Sequence, residues 1–212
     1  MSAVIELHDV VALYGSHPAL AGATLRVNRG EIIVVRGPNG AGKSSLLRLC
    51  AGLVAPSRGT AVVLDHDLSV DREHVGKRVG LLGQRNGLFL DLSAAENVQF
   101  WGQLSGASAA EMSEAMQRMG ITNSLATRRV GSMSTGQRKR VALACLVTRR
   151  AELWLLDEPH SGLDASGRDE LDEVLRQAAN AGATIVLASH ESERAERLGA
   201  RVVSMSGGQV VS

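Results

Sequence analysis

Nine consecutive residues, Gly37, Pro38, Asn39, Gly40, Ala41, Gly42, Lys43, Ser44 and Ser45, place three glycines, a lysine and two hydroxyls at a spacing that suits a chain of phosphates. They follow the apolar run "IIVV" and lead into Leu46, Leu47 and Leu49, so the pattern G-x-x-x-x-G-K-[ST] falls between a strand and a helix, the context that gives it meaning. Glycine lets backbone N–H groups turn inward around an anion, and a helix N-terminus adds a favourable partial charge. Lys43 is then expected to reach the β- and γ-phosphates, and Ser44 to offer its hydroxyl to Mg²⁺.

The stretch "LWLLDEPHSGLD" adds acid–base chemistry. Four apolar residues carry Asp157 and Glu158 to the end of a buried strand, and Pro159 stops it. Adjacent carboxylates there can divide the labour, one organising Mg²⁺ and the other polarising water.

Both sites need elements to position them. "AVIELHDVVALYG", "ATLRVNRG" and "GTAVVLDHDL" read as half-buried antiparallel strands. "EIIVVRG", "RVGLLGQ", "ELWLLDE" and "ATIVLASH" are short and continuously apolar, as parallel strands covered on both faces are. Ligands of an open α/β sheet collect at the carboxyl ends of its strands, so these four endings are expected to converge. Residues 91–150 are rich in Ala, Ser, Met, Glu and Gln and read as a helical subdomain. The expected division of the 1–212 domain is 1–90 and 151–212 as nucleotide-binding core with a β layer, and 91–150 as the helical part.

Bulk properties narrow the functions. A chain of 212 residues, 44% hydrophobic, is long enough for a sizeable core. With 23 Lys plus Arg against 22 Asp plus Glu there is no net field to gather nucleic acid or acidic lipid, and no nucleic-acid partner is expected. Cys50 and Cys145 stand far apart in apolar surroundings and read as buried free thiols of a reducing compartment. No apolar run approaches the roughly 18 residues of a membrane span, and the start lacks a leader pattern. The chain is expected to be cytoplasmic unless a partner holds it at a membrane.

"GPNGAGKSS", Gln84 in "GLLGQRNG", "MSTGQRKRVALA", "LLDEP", "SGLD" with Asp164, and His190 in "LASH" occur in the order and approximate spacing of the nucleotide-binding subunits of ABC transporters, and the resemblance covers essentially the whole chain. It implies a P-loop NTPase (RecA-like) α/β core with an N-terminal antiparallel β layer and an inserted α-helical subdomain, with ATP and Mg²⁺ as cofactors. It implies that Asp157 organises Mg²⁺ and Glu158 activates water, that Gln84 senses Mg²⁺, that His190 contacts the γ-phosphate, and that Tyr14, the only tyrosine, stacks on adenine. Asp164 and the signature residues Ser134, Gly136 and Gln137 are expected at the nucleotide.

The chain holds two candidates for that signature, "MSTGQ" at 133–137 and "MSGGQ" at 205–209. The first runs directly into "RKRVALACLV", a mostly apolar stretch suited to a buried helix, which sets Ser134 and Gly136 at a helix N-terminus. The second lies between "RVVS" and "QVVS", so Gly207 and Gly208 read as a hairpin turn. The first is therefore taken as functional, although Thr135 and Met133 replace the family's usual Gly and Leu. His160 is read as a turn residue and the basic run 138–140 as a solvated or phosphate-adjacent face.

One phosphate loop and one signature per chain imply, within the family, half of a machine: the signature of one protomer closes over nucleotide held by the other. A second ATP-binding subunit, expected as a homodimer, and a membrane-embedded permease are the implied partners, with the chain peripheral on the cytoplasmic face of the membrane. Phe89 and Leu90 are expected to be partly exposed as a permease-docking surface, and Phe100 to be core. The rival readings are DNA-repair or translation-associated ATPases of the ABC type, which carry long coiled coils or paired heads. For cargo, "AAENVQFW" and the short length resemble the haem exporter of cytochrome c biogenesis, whereas "PHSGLD" is generic; export of drugs, lipids or other small molecules stays open.

Overall fold

The computed structural model describes residues 2–15, 17–83, 87–190 and 192–211. The chain forms two compact units, one made of residues 1–81, 152–159 and 172–212, the other of 82–151 and 160–171.

In the first unit, β1 (Ala3–Tyr14) and β2 (His17–Asn28) form a long antiparallel hairpin, followed by β3 (Ile32–Arg36), α1 (Lys43–Cys50), β4 (Arg58–Val63), β5 (His66–Asp67), α2 (Arg72–Arg78) and β6 (Val79–Leu82). The antiparallel layer runs β2-β1-β4-β5. Alternation in β2 sends Ala23, Leu25 and Val27 into the core and leaves Thr24 and Arg26 outside, the pattern of a sheet with one wet face.

The second unit holds α3 (Ala94–Leu104), α4 (Ala109–Arg118) and α5 (Thr135–Thr148). Each opens on a serine, Ser93, Ser108 or Ser134, in a capping box with the residue three places on. That reciprocal pair satisfies two donors and stabilises a helix start by about 1 kcal/mol. Residues 141–146 of α5 are all buried, so this helix is the unit's core and α3 and α4 pack on it.

The chain then returns to the first unit through β7 (Leu153–Asp157); α6 (Ala165–Asn180), β8 (Thr184–Ala188), α7 (Ser192–Arg197), β9 (Arg201–Ser206) and β10 (Gln209–Val210) follow. The main sheet has the order β10-β9-β3-β8-β7-β6. β3 pairs in parallel with both β8 and β9, and β7 in parallel with β8. β7 and β8 are buried almost throughout, as strands covered on both faces must be. β9, parallel to β3, joins the four strands read from sequence in this sheet. Residues 160–171, expected with the nucleotide-binding core, pack with the helical unit instead.

Candidate nucleotide-binding site

The register of the parallel strands brings the chemistry together. Asp157 at the end of β7 is level with Ala188, and Ala188 with Val35, so β3, β7 and β8 finish side by side. Beyond β3 the chain loops through residues 37–42 with positive φ at Gly37, Gly40 and Gly42. A Cβ on Gly37 would stand 2.2 Å from the Met205 carbonyl oxygen and one on Gly42 2.6 Å from that of Ala19, so only glycine fits these turns. Gly42 also begins α1, with no side chain capping the helix. The first-turn N–H groups of α1 therefore lack the partner that serine gives α3, α4 and α5, and an anion can take them.

Lys43 Nζ donates to the carbonyls of Gly37 (2.6 Å) and Pro38 (3.0 Å), which folds the ammonium over the loop. Ala41 is buried; Pro38, Asn39 and Gly40 are exposed, and Ser44 and Ser45 half-buried. Ser44 Oγ donates to Asp157 Oδ2 at 2.6 Å. A hydroxyl and a carboxylate side by side are hard oxygen donors, which fits Mg²⁺, an ion usually held by one or two protein groups together with substrate phosphates. Gln84, the third expected ligand, lies outside the described residues.

Glu158 leaves β7 with φ 49°, a conformation uncommon away from glycine, while its N–H still donates to Ala188 (2.9 Å). Its Oε2 lies 3.0 Å from His190 Nδ1, just past the end of β8. Tyr14, at the tip of β1, is 74% exposed and is not core, so its ring is open to a ligand.

In the second unit, Ser134 is the N-cap of α5. Its Oγ accepts from Gln137 N–H, and Gln137 Oε1 accepts from Ser134 N–H. Gly136 faces Gly162 so closely that a Cβ would meet its carbonyl oxygen at 2.7 Å. Asp164 Oδ1 accepts from the Gly167 N–H (2.9 Å) at the start of α6; that bond and the nearby Arg140 hold its carboxyl below the usual carboxylate range.

The basic run 138–140 is not a solvated face. Arg138 donates to the carbonyls of Val130 and Gly131, Lys139 is buried with Nζ on the Ser161 carbonyl, and Arg140 pairs with Asp164 and Glu170. Nothing in the sequence separated these residues from ordinary surface charge. Asn97 was missed too: buried, it accepts from Phe89 N–H and donates to the Phe89 carbonyl, fixing the backbone that presents Phe89. Phe89 and Leu90 are 43% and 53% exposed. Phe100, expected in the core, is 40% exposed and meets Phe89 edge-on at 4.8 Å, with Trp101 beside both. His160 is in a turn, as expected, but buried.

Residues 20–161, two thirds of the chain, match the family model described as ABC transporter. The chain belongs to the ABC transporter family. As an ABC ATP-binding domain it is 33% identical over 93% of its length to the Nod factor export ATP-binding protein I of Cupriavidus metallidurans, and spans 66% of that protein. It is 36% identical over 98% of its length to the thiamine import ATP-binding protein ThiQ of Salmonella choleraesuis, covering 88% of it. It is also 36% identical over 85% of its length to the cytochrome c biogenesis ATP-binding export protein CcmA of Bradyrhizobium diazoefficiens, covering 88% of that protein. Among solved structures, a dimeric bacterial ABC transporter cassette superposes with a TM-score of 0.88 at 25% identity, over 98% of this chain and 97% of that one. The α/β core, β layer and helical subdomain are thus the ABC cassette fold.

The two pentapeptides of the ABC chain separate cleanly. "MSTGQ" caps α5, whereas Gly207 and Gly208, both with positive φ, make a two-residue hairpin turn between β9 and β10. That turn has a structural task. Gly208 accepts from Ala21 N–H and donates to the Ala41 carbonyl, joining β2 to the phosphate loop.

Proposed function

We propose that this chain is the ATP-hydrolysing subunit of a transport system, acting as a dimer in which the signature of one protomer completes the site of the other. The contact that supports this reading best is Ser44 Oγ to Asp157 Oδ2 at 2.6 Å, because it joins the phosphate loop to the acidic strand end. Loop N–H groups and Lys43 hold the phosphates, Tyr14 stacks on adenine, and Ser44, Asp157 and Gln84 would hold Mg²⁺, which would supply positive charge against the phosphates. Glu158 takes a proton from the attacking water, and His190 fixes the orientation of that carboxylate. Ser134, Gly136, Gln137 and Asp164 act on nucleotide bound by the partner protomer.

Among the described residues no helix is long and apolar enough to cross a membrane. In this reading a permease holds the chain at the cytoplasmic face of the membrane, with Phe89 and Leu90 on the docking surface. The named relatives serve different cargoes at similar identity, so the haem-export resemblance has no advantage over thiamine or Nod factor transport. Cargo choice is assigned to the permease.

The test is phosphate release from MgATP. Glu158→Gln is expected to bind MgATP nearly normally while hydrolysis falls about a hundredfold or more; Lys43→Ala is expected to weaken binding itself. Wild-type turnover in Glu158→Gln would remove Glu158 from the role.

A further inference from the structure

Among the described residues Lys139 is the only buried lysine, 8% exposed, and it lies in the second turn of the helix that Ser134 caps. An ammonium is costly to remove from water, so its retention there calls for a specific partner. Its Nζ donates at 2.9 Å to the carbonyl of Ser161, in the turn that follows the acidic strand. Two neighbours on the same helix engage the same segment. Gly136 lies against the Gly162 carbonyl, and Arg140 reaches both Asp164 and Glu170. The turn is also tied within itself, Leu163 N–H to the His160 carbonyl, and Asp164 caps the helix that leaves it. One helix thus grips, at three successive points, the loop carrying Asp164.

We propose that Lys139 is a positioning residue that locks the turn at 160–164 onto α5, so that Ser134 and Asp164 are presented to the partner protomer as one rigid body. The idea rests on the composite-site reading above and adds a residue that touches no nucleotide. Its consequence is directional. Loss of the tether damages the site on the opposite protomer and leaves the chain's own phosphate loop intact.

The experiment is complementation between purified full-length chains. Lys139→Met keeps most of the unbranched side chain and removes the donor; Lys139→Gln, a neutral donor one atom shorter than lysine, serves if the first variant does not fold. Each is expected to keep nucleotide affinity within about threefold and to lose tenfold or more in turnover. Mixed with Lys43→Ala chains, which are inactive alone, the Lys139 variant is expected to regain the activity seen when Ser134→Arg chains are mixed with Lys43→Ala. Unchanged turnover in the folded Lys139 variants would overturn the proposal. So would a Lys139 mixture that stays inactive while the Ser134→Arg mixture recovers, since the damage would then lie within one chain. If neither mixture recovers, the composite-site reading fails and the proposal falls with it.

Discussion

His190 Nδ1 and Glu158 Oε2 stand 3.0 Å apart at the ends of neighbouring strands β8 and β7. The Glu158 backbone is pinned to Ala188, and the histidine is placed to orient the carboxylate in the proposed reaction. His190→Ala is expected to lower kcat about a hundredfold, the scale on which misplacing a reacting group acts, with ATP affinity within about threefold. Steady-state turnover and equilibrium nucleotide titration on the same preparation check it; weakened binding at unchanged kcat would make His190 a ligand of the ground state instead.

The duplicated pentapeptide gives a paired test. Ser134→Arg puts a long cation at an exposed helix start and is expected to abolish cooperative hydrolysis while each monomer still binds ATP. Ser206→Arg lies at an exposed strand end and is expected to leave turnover within about twofold, as surface substitutions usually do. The reverse result would exchange the two assignments.

Much of this was legible in the sequence because local rules and the fold agree. Continuous apolar runs gave β3, β6, β7 and β8, and the polar endings of three of them, Gly37, Asp157 and His190, mark the sheet edge. Phe89 and Leu90 were read correctly as partly exposed. What escaped depends on partners distant in the chain. β9 is exposed at both ends and not continuously apolar, so it does not announce itself as a parallel strand, and its place beside β3 is set only by the returning chain. Residues 138–140 read as surface charge because sequence does not reveal the carbonyls of Val130, Gly131 and Ser161 that receive them. Phe100 follows a helical pattern yet meets Phe89 at the surface. Both cysteines are free and buried, as read, and burial pushes their thiols up to about 12.

The aromatic patch carries a prediction about coupling. Phe89→Ser combined with Leu90→Ser is expected to leave ATP binding and thermal unfolding nearly unchanged, because Asn97 holds the backbone there and both side chains are substantially exposed. Copurification with the permease is expected to be lost. A double variant that folds and still holds its partner would put the docking surface elsewhere.

Glu152 supplies a pH prediction. Arg78 grips it in a fork, Nε to Oε1 at 2.6 Å and Nη2 to Oε2 at 3.0 Å, and Arg29 adds a contact at 3.1 Å. The Arg78 hydrogen bonds lead in holding its carboxyl down to about 2 against an ordinary 4.5. Because the folded value is depressed, the stabilisation is complete above pH 4.5 and is lost as pH falls towards 2. Glu152 is partly exposed, so solvent screens the pair, and Glu152→Gln is expected to cost about 1 kcal/mol at pH 7. Denaturant titrations at pH 7 and pH 3 should show that cost shrinking at the lower pH; an equal cost at both would assign it to packing.

The central claim, that ATP joins two copies of this chain through Lys43 on one and Ser134 on the other, is tested most directly by the mass of the Glu158→Gln chain in solution. Light scattering on the purified variant is expected to give a dimer with MgATP and a monomer with MgADP, and a monomer in both when Ser134→Arg is added. A Glu158→Gln chain that binds ATP yet stays monomeric at every protein concentration tested would contradict the account.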